Sequence, residues 1–140
     1  MHETNRLLKE MKTAFILTLF VVVVLLGCRG VDRATPDFLA ILHIREIHEA
    51  EQKVRDTKGR YATLYELGPK GLGLLSLELS NGSLDGYRFD VQAGEHRYAV
   101  HATPIEWQVT GRRSFYSDEA GTVFQSWTSP RASRDDHAVK

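Results

Sequence analysis

The sequence predicts an α+β domain in which one long N-terminal amphipathic helix packs on a four-stranded antiparallel sheet. Three observations lead there. Apolar residues between positions 38 and 54 recur at three- and four-residue steps, the spacing of one helix face. From Tyr87 onward the period changes to two, the spacing of half-buried strands. A thirteen-residue apolar run at 14–26 stands apart from both and ends beside the single cysteine of the chain.

A chain of 140 residues has room for that run and one ordinary domain. With 42% hydrophobic and 26% charged residues it is globular in composition. Its 18 basic and 18 acidic residues cancel, which argues against nucleic acid as a partner, since phosphate binding needs a basic excess. One cysteine excludes an internal disulfide framework and a Cys-rich zinc site.

The run reads AFILTLFVVVVLL. As a helix it would span about 20 Å, short of the ~30 Å hydrocarbon core of a bilayer, and this length suits the apolar core of an export signal. Lys9 and Lys12 supply the positive flank, and Met11 is an alternative start. Residues 1–27 are therefore expected to be a cleaved signal peptide. The run closes on Leu25-Leu26-Gly27-Cys28, which resembles the lipobox of bacterial lipoproteins. That resemblance implies cleavage between Gly27 and Cys28, lipid on the Cys28 thiol and acylation of the new amino terminus. Several acyl chains hold a soluble domain at a membrane far more firmly than one. Arg29 follows the cysteine where Asp would retain a Gram-negative lipoprotein in the inner membrane, so the resemblance implies the outer membrane in such a host. An uncleaved signal anchor with an incidental cysteine stays open as the alternative.

Residues 28–34 form a short polar tether, lipidated if the lipobox is used. Thr35-Pro36-Asp37 then starts a helix, with a threonine N-cap, proline at the first position and an acid in the first turn. Gly59 suits a left-handed C-cap after Lys58. The apolar stripe is Ala40, Ile44, Ile47 and Val54 with Phe38 and Ile41 alongside, while the second half carries Glu49, Glu51, Gln52, Lys53, Arg55 and Asp56. Thr63 and Glu66 make a capping box for one short turn, and the leucine-rich stretch 72–79 fits either a second helix or an irregular cover. Asn81-Gly82 and Asp85-Gly86 are turn signals.

Tyr87, Phe89 and Val91 alternate with polar residues, as do Tyr98, Val100 and Ala102 after a turn at Ala93-Gly94, giving a hairpin with one wet face. After an excursion over 105–111, residues 113–117 and 122–127 flank a second turn at Asp118-Glu119-Ala120-Gly121. Residues 128–140 are polar and aperiodic and are expected to be a disordered tail.

The stretch 44–68, IREIHEAEQKVRDTKGRYATLYELG, resembles the second half of the long helix and the following loop of type IV pilin-like and type II secretion pseudopilin-like proteins. The positions that carry the likeness are Ile44, Arg45, Ile47, Ala50, Gly59, Tyr61, Leu64, Leu67 and Gly68. Further along, Gly86-Tyr87-Arg88-Phe89, the stretch from Tyr98 to Pro104, and Arg113-Ser114-Phe115 with Asp118 and Gly121 are similar to later landmarks of one subgroup. The resemblance covers about 44–124 and implies a pilin-like head over 35–127. The chain lacks the Gly-Phe-Thr/Ser-Leu-Ile-Glu processing site and the apolar half-helix that follows it in prepilins. A subunit without that half-helix has no apolar surface with which to enter a filament core. The expectation is a non-catalytic, lipid-anchored envelope protein facing the periplasm or cell surface, whose partners are the membrane and an envelope protein, with pilus or secretion machinery the candidate. The alternative is a minor pseudopilin-like component held by an uncleaved N-terminal helix.

Site candidates are few. His43 and His48 are five apart on the helix, unlike an i, i+4 metal pair, and no Gly-x-Ser-x-Gly or phosphate loop exists, so neither an active site nor a cofactor is expected. Calcium is bound in a C-terminal loop by some pseudopilins, which makes Asp118 and Glu119, with Asp85, weak calcium candidates; acids placed to form turns are the simpler account. Trp107, in the excursion, and Trp127, at the end of the last strand, are candidate partner contacts.

Overall fold

The computed structural model describes residues 3–4 and 35–140, and the chain divides into two units, Met1–Arg33 and Ala34–Lys140. Gly27, Cys28, the apolar run and the tether lie outside the described residues. Among the described residues, no helix is long and apolar enough to cross a membrane.

Helix α1, Pro36–Lys58, begins and ends where local chemistry directs. The Thr35 side chain accepts from the Phe38 N–H, and Gly59 closes the helix in the left-handed region at φ 69°. Ala40, Ile41, Ile44, Ile47, Ala50 and Val54 are buried along one face. Phe38, expected beside that stripe, is exposed, and Glu51, expected on the wet face, is fully buried. Two short helices follow, α2 at Leu64–Leu67 with its capping box formed, and α3 at Leu77–Ser80 capped by Ser76. The leucine-rich stretch thus divides: Leu75 and Leu79 enter the core, while Leu77 faces out.

The sheet has six antiparallel strands in sequential order, not four: β1 Ser83–Leu84, β2 Tyr87–Ala93, β3 Tyr98–Pro104, β4 Ser114–Asp118, β5 Phe124–Ser126 and β6 His137–Ala138. Both additional strands are short edges that leave almost no periodic signal. β1 is the first arm of a tight hairpin whose central residues Asp85 and Gly86 both have positive φ, 49° and 83°, and this turn pairs Leu84 with Tyr87. β6 belongs to the segment expected to be a disordered tail. It pairs with β5 through Phe124–Ala138 and Gln125–His137, and the Val139 N–H bonds the Val123 carbonyl at 2.8 Å.

Residues 128–136 are also held to the sheet. Ala132 is buried, Arg131 reaches Asp90 at 3.7 Å, and the Arg134 guanidinium pairs with Asp118, whose side chain shares the outward parity of Tyr116 and His101. The sheet face turned away from α1 is therefore partly covered, where an open wet face was expected. A polar segment can do this because it satisfies outward-pointing carboxylates and edge carbonyls instead of burying apolar surface. On the other face Tyr87, Phe89, Tyr98, Val100, Ala102 and Phe115 pack with the α1 stripe into one core.

Candidate functional site

α1 carries two shielded carboxylates, Asp37 in its first turn and Glu51 past its middle. At its start, Asp37 gathers three donors from distant chain. Its Oδ1 accepts from the Tyr87 hydroxyl at 2.6 Å and the Arg112 N–H at 3.0 Å, and its Oδ2 accepts from Arg113 Nε at 3.0 Å. The Tyr87 hydroxyl also lies 2.7 Å from the Arg113 carbonyl, so its one proton is shared between two acceptors. Burial pushes the Asp37 carboxyl upward, but the bonds from Tyr87, Arg112 and Arg113 outweigh it and hold the group below its usual range. Burial and the neighbouring Asp37 together raise the Tyr87 hydroxyl well above its ordinary value.

Arg113 also donates to Gln125 Oε1 at 2.7 Å, and its guanidinium carbon sits 5.3 Å from the Phe115 ring centre and 5.0 Å from that of Trp127. Gly111 must be glycine here, because a Cβ would run into the Tyr87 ring. These contacts fix the excursion 105–113 against the start of α1. Trp107 is half-buried in that excursion and forms a bridge to Gly111, whereas Trp127 is exposed.

At mid-helix the pattern reverses. Glu51 is fully buried, its Oε2 accepts one bond from the Ala62 N–H at 2.9 Å, and its Oε1 has no partner. Burial dominates and pushes the carboxyl up to about 7.

One turn earlier lies the constellation nearest to enzyme chemistry, which sequence reasoning missed. His48 Nε2 is 2.8 Å from the hydroxyl of the buried Ser117, and His48 Nδ1 contacts the Tyr98 hydroxyl. Ser117 donates its proton to the Thr122 carbonyl at 2.7 Å. His48 must then donate from Nε2 to Ser117 and accept at Nδ1 from Tyr98, the tautomer that satisfies every group. A general base needs its lone pair aimed at the serine proton, and here the polarity is opposite. Burial lowers the His48 pKa, with Asp118 opposing, so the ring is neutral near pH 7. The arrangement pins α1 to β3 and β4. No spacing rule links positions 48, 98 and 117; only the strand register brings them together.

His43 makes the corresponding clamp near the start of α1, with Nε2 2.8 Å from Asp85 and Nδ1 3.2 Å from Glu46. Asp85 and Asp118 lie toward opposite ends of β3, because Asp85 belongs to the turn beside Pro104 whereas Asp118 pairs with Ala99. The weak calcium set is thus not assembled. Asp118 itself is occupied by Arg134, the Tyr116 hydroxyl at 2.9 Å and the Ala120 N–H at 3.0 Å, and Glu119 is exposed at the turn. These bonds and the Arg134 charge outweigh burial and hold the Asp118 carboxyl below its usual range. Among the described residues, no three His, Cys, Asp or Glu side chains gather in a metal-holding group.

Among the described residues, an open concavity of about 440 Å³ lies between the first turn of α1, the excursion and Trp127. No family model, curated protein or solved structure matches this chain.

Proposed function

We propose that the chain is a lipid-anchored protein of the bacterial cell envelope whose pilin-like α+β domain serves protein–protein contact or a structural role without catalysis. The observation that carries this reading is the place of the single cysteine, directly after the apolar run in Leu25-Leu26-Gly27-Cys28. Support comes from the start of α1, which is capped by Thr35 and opened by Pro36 as an independent helix. The buried Ser117–His48 contact, with its reversed polarity, favours a structural role for the most enzyme-like group of side chains. The domain faces the periplasm or the cell surface, at the outer membrane where the host has two.

Intact mass of protein purified from membranes tests the reading. The expected species starts at Cys28 and carries acyl chains, and Cys28→Ser leaves the membrane fraction while still folded. A mature chain that keeps residues before Cys28 overturns the proposal and favours a pseudopilin-like subunit held by its N-terminal segment.

A further inference from the structure

Six large apolar side chains stand exposed among the described residues, and four of them are Phe38, Ile105, Val109 and Trp127. These four belong to segments that meet at one end of the domain: the first turn of α1, the excursion after β3 and the chain leaving β5. Asp37 joins the first two through Arg112 and Arg113, and Arg113 carries the Trp127 ring. Val109 is 76% exposed, Trp127 54% and Phe38 50%. The opposite end, formed by the β2–β3 and β4–β5 turns, is polar, with the Glu95 and His96 side chains 84% and 82% exposed. Burying large apolar side chains is favourable, and a cluster left in water at one end marks a contact surface.

The chain itself indicates what covers it. Thr35 lines the same concavity as Val109 and Trp127, and Cys28 lies seven positions before it. Seven residues reach at most about 25 Å when fully extended. Acyl chains on Cys28 therefore keep the bilayer within that distance of this end.

We propose that the end of the domain bearing Phe38, Val109 and Trp127 docks into the headgroup region of the membrane that holds the anchor. The inference rests on the reading of Cys28 as lipidated. Trp127 is suited to this layer, because its ring is amphipathic and favours the depth between water and hydrocarbon. Arg112, exposed on the wall of the same concavity, is placed for lipid phosphates. Docking converts a tether into an oriented mount: α1 points away from the bilayer, and the polar turns with Glu95, His96 and Glu119 face outward as the surface offered to partners.

Two full-chain variants test this, Val109→Cys at the apolar end and His96→Cys at the polar end, both at exposed positions. A lipidated Cys28 has no free thiol, so a maleimide fluorophore meets only the introduced cysteine. The labelled proteins are extracted from membranes and reconstituted into phosphatidylethanolamine–phosphatidylglycerol vesicles with or without nitroxide-headgroup lipid. The probe at 109 is expected to lose about half or more of its emission, as suits a group buried about 5–10 Å into the interface, while the probe at 96 is unaffected. Equal, weak quenching at both positions in protein that floats with the vesicles overturns the docking and leaves the anchor standing. Uptake of maleimide at Cys28 by the unsubstituted chain overturns the anchor and the docking with it.

Discussion

Asp37 and Glu51 sit on the same helix, both largely shielded from water, and titrate in opposite directions. Asp37 has three N–H or O–H donors on its two oxygens and an arginine beside it, and is held below the usual carboxylate range. Glu51 has a single backbone donor and an orphaned oxygen, and is pushed up to about 7. Burial is common to the two; the number of partners differs. A buried carboxylate ionises normally only where the fold brings donors to replace lost water.

The largest expected effect breaks the satisfied end. Asp37→Ala strands the Arg113 guanidinium and the Tyr87 hydroxyl in a partly buried site and should cost about 3–5 kcal/mol, measurable by urea unfolding. A loss below about 1 kcal/mol would show that the cluster is weaker than its geometry.

Glu51→Gln sharpens the other side of the comparison. Folding raises the Glu51 pKa from its ordinary 4.5 to about 7, so the folded chain holds this proton more tightly than the unfolded one. The resulting stabilisation is fully present below pH 4.5 and is lost as pH rises through about 7. The amount at stake is up to about 3 kcal/mol. Glu51→Gln should therefore match the parent chain at pH 4 and exceed it by up to that amount at pH 8, and equal differences at both pH values would refute the account. Asp37 and Asp118 run the other way. Their lowered pKa values contribute stability that is present above the ordinary 3.8 and lost as pH falls through the folded values.

Ser117→Ala removes a hydroxyl that links His48 to the Thr122 carbonyl and should cost about 1–2 kcal/mol, by the same unfolding measurement. Arg134→Ala acts most locally. It frees residues 128–136 from Asp118, and amide exchange at Ala138 and Val139 should quicken while the α1 amides stay protected. Uniform acceleration would mean that β6 belongs to the main cooperative unit.

Much of the helical layer was legible because its signals are short-range. Thr35, Pro36 and Gly59 set the limits of α1 within a few residues of themselves, and Thr63 with Glu66 did the same for α2. The alternation at 87–93 and 98–104 likewise marked β2 and β3. The edges were not legible: β1 and β6 have two residues each, too few for any period. Residues 128–140 look like solvent-exposed chain because their polarity is matched by partners far away in sequence, Asp118 and Asp90. Phe38 and Glu51 were misplaced for a related reason. The helical period says which residues share a face, but what lies opposite each one depends on the chain that arrives there.

By itself, then, the sequence determined where α1 starts and stops, where the turns fall and where the apolar run meets Cys28, since each depends on neighbours a few positions apart. Only the tertiary structure decided that Asp37 is satisfied and Glu51 is not, that His48 donates to Ser117, and that exposed apolar side chains collect at the end from which the tether departs. Those outcomes depend on groups 11 to 76 positions apart, whose meeting is set by strand register and helix placement.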